Sequence, residues 1–147
     1  MADTLLRERY ARVLDRIDAA CAAAGRPRES VRLIAVSKLH PAASLAEVAA
    51  AGQIDFGENY VQEALQKRQD LSADPATSAL CAGIRWHMIG HVQSRKASLV
   101  AGAFCLVHTL DSRKLADAME RRLVETQTRQ PVLFEVNVGE EAQKSGV

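Results

Sequence analysis

The chain opens with apolar residues at helical spacing. Leu6, Tyr10, Val13, Ile17 and Ala20 recur three or four positions apart with Arg and Asp between them, which predicts an amphipathic helix. It runs to about Ala24 and stops at Gly25, with Pro27 beyond. The pattern then changes to short apolar runs that alternate with helical segments. Residues 31–37, rich in Val, Leu and Ile, predict a buried parallel strand. Residues 41–51 predict a helix, with Pro41 at its start and Gly52 just past its end. A strand over 54–57 and a helix over 58–71 follow, then a loop over 72–83 marked by the Asp74-Pro75 turn signal. Next come a strand over 84–89, a helix over 93–102 and a strand over 104–110. Asp111 is a good N-cap for a helix running to about Gln127, and residues 131–138 form a fifth strand.

A repeated strand–helix order predicts an α/β fold with a parallel sheet, because each right-handed crossover lays a helix on the sheet. The sheet could be open and doubly wound, or closed as a (β/α)₈ barrel. No GxGxxG or GxxxxGK[ST] sequence is present, which weakens a nucleotide-binding open sheet. A barrel needs eight strands, and the chain reaches Lys144-Ser145-Gly146-Val147 soon after the fifth. The expectation is therefore one domain over residues 1–147, incomplete at its C-terminus. No internal repeat, low-complexity tract or linker divides it.

The bulk composition narrows the function classes. Of 147 residues, 48% are hydrophobic and 25% charged, which is ordinary for a globular domain with a real core. The net charge of +1 gives no electrostatic case for nucleic acid or an anionic membrane surface. Cys21, Cys81 and Cys105 are odd in number, widely spaced and without a CxxC pair, so they read as small core residues in a reducing compartment. The N-terminus is charged throughout, without the apolar core of a signal peptide, and no apolar stretch has the length of a membrane span. A cytoplasmic location follows by default.

Candidate chemistry gathers where strands give way to helices. Lys38 ends the first apolar run, and alternation puts it on the face of Ile34 and Val36. Partial desolvation there would lower its pKa and make it a nucleophile able to form a Schiff base, whereas an ordinary strand-end lysine would snorkel to water. In Phe56-Gly57-Glu58-Asn59-Tyr60, Gly57 allows a tight turn, and Glu58 and Asn59 suit either a site or simple helix capping. His87 lies mid-strand, where a histidine is more often a hydrogen-bonded core residue than a catalyst. A strand-to-loop junction separates it from His91, so the histidines predict no metal. Ser94, Arg95 and Lys96 could bind an anion but read better as a solvated cationic face. Glu135 and Asn137 share one face of the fifth strand, where they either point into a barrel mouth containing Lys38 or are satisfied by core hydrogen bonds and have no function.

Taken in order, LIAVSK with a Pro-started helix, FGENYVQE, RWHMIGHVQSRK, HTLDS and VLFEVNVGEEAQKSG resemble the pyridoxal phosphate homeostasis protein family from about Val31 onward. The resemblance implies an alanine-racemase-like (β/α)₈ TIM barrel, of which this chain holds an N-terminal helix and about five strands. It implies pyridoxal 5′-phosphate (PLP) held as a Schiff base on Lys38, with Asn59, His87 and Asn137 around it. It implies a non-catalytic carrier that buffers or delivers the cofactor to PLP-dependent apoenzymes, monomeric at full length. Family members continue well beyond Val147 with the strands and Ser-, Gly- and Thr-rich loops that hold the phosphate. The expectation is therefore either a chain of marginal stability or a sequence shorter than the native protein. The alternatives are a PLP-dependent racemase or lyase, an inactive fragment, and, from the lysine alone, a Schiff-base aldolase. Lys144 either carries a second PLP or is simply solvated.

Overall fold

The computed structural model describes residues 2–139, 141, 143 and 145–147. Helix α1 (Ala2–Ala23) precedes β1 (Ala35–Val36), α2 (Ala42–Ala50), β2 (Asp55–Glu58), α3 (Val61–Ala73) and α4 (Ser78–Gly83). Then come β3 (Arg85–Met88), α5 (Ala97–Val100), β4 (Leu106–Leu110), α6 (Arg113–Thr126) and β5 (Val132–Phe134). The five strands form one parallel sheet in the order β1-β2-β3-β4-β5. Sequential parallel neighbours with intervening helices are the arrangement of the first part of a (β/α)₈ barrel.

Two helix ends show why the sequence signals work. After α1, Gly25 takes φ 60, its amide donates to Ala22 and the Arg26 amide donates to Cys21. After α2, Gly52 takes φ 101, with matching bonds from Gly52 to Ala49 and from Gln53 to Val48. Both are Schellman endings, which need a left-handed residue that glycine adopts without a Cβ clash.

Register fixes which side chains reach the core. Ala35, Phe56 and Trp86 lie across from one another, as do Val36, Gly57 and His87. Phe56, Trp86, Met88 and Val107 are buried against the helices, where they meet Leu45, Val100 and Leu115. Burying a large apolar side chain contributes roughly 1.5–3 kcal/mol, so this layer is the main source of stability. On α1, Tyr10 binds Gln53 at 3.1 Å, and Gln53 in turn donates to the carbonyls of Leu33 and Asp55. Val13 is 39% exposed, so it stands at the margin of the α1 contact stripe.

Four expectations are corrected. Residues 78–83 are helical rather than loop, because this short Ala- and Leu-bearing segment packs on α3. The first strand is confined to Ala35–Val36, since the Leu33 carbonyl is met by the Gln53 amide and a turn begins at Ser37. The cap of α6 is Ser112, whose hydroxyl accepts from the Leu115 amide, while Asp111 is buried and paired with His91. Cys105 is exposed, not a core residue, although Cys21 is buried as expected. Among the described residues, no helix is long and apolar enough to cross a membrane.

Candidate functional site

Lys38 sits on a four-residue turn at the carboxyl end of β1. The His40 amide closes it by donating to the Ser37 carbonyl at 3.1 Å. Leu39, at the third position, has φ 62, the left-handed value that a type II turn needs and that favours glycine or asparagine. A leucine there stores backbone strain beside the lysine. Lys38 is exposed, and among the described residues its ammonium has no hydrogen bond or ion pair. The expected partial desolvation is therefore corrected: Val36 on the same face is 53% exposed, so that face is open to water.

Beneath this turn lies a buried ionic cluster. Lys67 of α3 donates to the Ser37 carbonyl at 2.6 Å, to Glu58 Oε1 at 2.7 Å and to Glu63 Oε1 at 2.6 Å. The Ser37 hydroxyl also donates to Glu58 Oε1, at 2.7 Å. Glu63 accepts the Leu39 amide at 2.5 Å. Burial alone would raise the Glu63 pKa, but the bonds from Lys67 and Leu39 hold it below the usual carboxylate range. Glu58 is thus no helix cap: it is fully buried in β2, and α3 starts three residues later at Val61.

Asn59 follows β2 and lines a cavity of about 330 Å³ with Tyr60, Gly90, His91 and Lys96. Lys38 does not line it. The wall is unusually close, because a Cβ on Gly90 would stand 2.4 Å from the Asn59 carbonyl oxygen. The Gly90 carbonyl accepts the Thr109 hydroxyl at 2.7 Å, which ties the β3 end to β4. Lys96 donates to Gln62 and Arg95 to Gln93, so the Ser94–Lys96 turn uses its cations locally.

His87 is buried on the sheet face opposite the helices. Its Nε2 lies 2.8 Å from Asp55 Oδ1, and its Nδ1 lies 3.0 Å from His108 Nε2. A carboxylate can only accept, so Nε2 carries a proton. Both ring nitrogens are therefore engaged, and His87 can offer a neighbour its ring face but no spare nitrogen. Arg85 grips Asp55 through two bonds of 2.8 and 2.5 Å.

This network gives an acid response. Burial, and then the charge of His87, hold His108 below its ordinary 6.5. Burial alone would raise Asp55, but the bonds from Arg85 and His87 hold it below 3.8. Both folded values are depressed. Each group's contribution is full above its unfolded value and is lost as pH falls through the folded one. The melting midpoint is expected to decline on acidification in two stages, first below about pH 6.5 and again below about pH 4. His108→Asn should remove the first stage alone. Thermal melts across this range check it, and a midpoint that stays flat between about pH 7 and 5 contradicts it.

Asn137 lies beyond β5. Its side-chain amide donates to the Glu141 carbonyl at 3.0 Å, and its carbonyl oxygen accepts the Glu141 amide at 3.2 Å. Its side chain is thus used to shape its own loop. Lys144 lies outside the described residues. Among the described residues, no group of His, Cys, Asp and Glu is arranged to hold a metal ion.

Sequence reasoning overlooked Lys67, Glu63, Asp55 and His108. One signal was available for Lys67. Val61, Ala64, Lys67 and Leu71 are buried at helical spacing, so a lysine occupies the apolar stripe of α3. Its spacing from Glu63 mimics an ordinary surface pair and hides this.

The sequence matches the family described as "Alanine racemase, N-terminal domain" over residues 11–147. It is 39% identical over 137 residues to the pyridoxal phosphate homeostasis protein of Escherichia coli K12, covering 93% of this chain and 56% of that protein. It is 42% identical over 141 residues to the protein of the same name from Pseudomonas aeruginosa PAO1, covering 96% and 58%. Among solved structures, PipY of Synechococcus elongatus PCC7942 with PLP bound superposes with a TM-score of 0.69 at 35% identity, over 88% of this chain and 57% of that one. An unknown protein from Bifidobacterium adolescentis gives a TM-score of 0.81 at 32% identity, over 98% and 59%. The chain thus spans between half and two thirds of the length of these relatives. Its strand order and these matches agree: the chain belongs to the alanine racemase N-terminal domain family, and its curated relatives there are pyridoxal phosphate homeostasis proteins.

Proposed function

We propose that this chain binds PLP covalently through Lys38 and serves PLP homeostasis in the cytoplasm as a carrier for PLP-dependent apoenzymes, not as an enzyme. The observation that carries the reading is the unengaged Lys38 amine on a constrained turn at the carboxyl end of β1. The PLP-bound state of PipY and the names of the curated relatives support it.

The residues present fit the aldehyde end of the cofactor. When bound, PLP supplies an aldehyde carbon for an amine and a pyridine ring that accepts electrons. Lys38 Nζ, once it had released a proton to solvent, would be the nucleophile for that carbon, with water as the leaving group. Asn59, at the end of β2, would present its amide from the neighbouring strand end, in a cavity that Lys38 does not line. His87 would form a wall, since Asp55 and His108 occupy its nitrogens. Asn137 would act indirectly, through the loop that its bonds to Glu141 shape. Residues 1–147 would act as one PLP-binding domain.

A titration of the 147-residue chain with PLP, followed by visible absorbance, tests this. Saturation at one equivalent, with no product formed from added amino acids, is expected. Racemised or cleaved amino acid would replace the carrier by an enzyme, and no saturable absorbance would remove the reading.

A further inference from the structure

We infer that Lys67, which touches no part of the proposed cofactor site, is a positioning residue for Lys38, acting through the buried cluster under the Ser37–His40 turn. The inference rests on the reading of Lys38 as the PLP anchor. Its physical basis is how the turn is held. Among the described residues the Lys38 side chain has no bond that orients it, so its position depends on the residues on either side. Both are held from below. The Ser37 carbonyl accepts from Lys67, and the Ser37 hydroxyl donates to Glu58, which also pairs with Lys67. The Leu39 amide donates to Glu63, and Glu63 pairs with Lys67.

One ammonium therefore closes both arms. Leu39 has 79% of its surface exposed, so its packing contributes little to keeping it in the left-handed region. Relaxation of that residue would swing the Lys38 backbone, and the bond to Glu63 opposes it. The cluster is suited to the task because it is buried and bonded on several sides. Lys67 and Glu58 have side-chain exposures of 7% and 0%, where charge-assisted bonds are strong and water does not compete. Glu58 Oε2 has no partner among the described residues, so the carboxylate depends on its Oε1 contacts alone. A buried ion pair is weak support for stability by itself, and holding a particular geometry is a better account of this one.

Two sets of variants test this in the full chain. Glu63→Ala frees the Leu39 amide while Lys67 keeps Glu58, and Glu63→Gln keeps an acceptor for that amide. The double variant Glu58→Gln with Lys67→Met removes both buried charges together, so that neither is left unpaired. Hydrogen exchange at the Leu39 amide, melting midpoint, and the equilibrium for borohydride-trappable PLP on Lys38 are read in each. Glu63→Ala is expected to speed Leu39 exchange and to weaken the Lys38 adduct roughly threefold, the loss of one hydrogen bond. Glu63→Gln should restore both, which a merely structural role of the helix would not require. The double variant should weaken the adduct about tenfold, as expected of a displaced reacting group. If Glu63→Ala leaves Leu39 exchange and the adduct at parental values, the inference fails and the PLP reading stands. If the parent chain forms no adduct on Lys38, the PLP reading fails and takes the anchor role with it. The exchange data then still report whether the clamp exists.

Discussion

Replacing Lys38 by alanine is expected to abolish the stoichiometric PLP adduct while moving the melting midpoint by no more than about 2 °C. The first half follows from the state of the five lysines. Lys67 is buried and spends its ammonium on Ser37, Glu58 and Glu63. Lys96 donates to Gln62. Lys114 is exposed on α6, outside the strand ends where a pocket could enclose a ligand. Lys144 lies outside the described residues. Lys38 alone of the described four joins an unengaged amine to a constrained backbone. The second half follows from exposure: its side chain contributes no bond that folding would lose. Lys38→Arg sharpens the test. A guanidinium keeps the charge but does not deprotonate near neutrality, so it forms no imine. Both variants should melt like the parent and lose the absorbance of the bound cofactor. An arginine variant that keeps that absorbance would place the anchor elsewhere.

The second large effect is expected at Gly90. A Cβ there would stand 2.4, 2.6 and 2.9 Å from the carbonyl oxygen, Cα and carbonyl carbon of Asn59. All three are backbone atoms, so a side chain cannot swing aside and the ends of β2 and β3 must part. Gly90→Ala should destabilise the chain by about 3 kcal/mol, the upper part of the usual overpacking range. That corresponds to a fall of roughly 10 °C in melting midpoint. It should also weaken PLP binding, because Asn59 moves with the strain. Two other glycines calibrate this. At Gly57 the nearest atom is the end of the Ile89 side chain, at 2.8 Å, which can rotate, so Gly57→Ala should cost less. At Gly83 nothing lies within 4 Å, so Gly83→Ala should stay within about 0.5 kcal/mol of the parent. Equal melting for the Gly90 and Gly83 variants would contradict the packing described between β2 and β3.

The parts of the fold that were legible are those that local rules control. Helix ends at Gly25 and Gly52 could be read because a left-handed cap residue is written in the sequence. The strand–helix alternation could be read because apolar period and turn residues agree over most of the chain. Helix α4 was missed because Asp74-Pro75 and the small residues after it carry loop signals, and its packing on α3 is a tertiary contact. The site divides along the same line. The places of Lys38, Asn59 and His87 at strand ends or within a strand could be read from the sequence. Their surroundings could not, because Asp55 and His108 meet His87 from 32 and 21 residues away in sequence. Asn137 was read as one of an alternating pair on a strand that in fact ends at Phe134. Beyond it the Glu135 amide still donates to the Leu110 carbonyl of β4, while the Glu135 carbonyl and the Asn137 amide pair with Val147.

The most direct test of the central claim is to reduce the PLP-treated chain with borohydride and map the labelled peptide by mass. A single label on the peptide containing Lys38, absent from Lys38→Ala, is the predicted result. Label scattered over Lys96, Lys114 and Lys38, or no label at all, would contradict it.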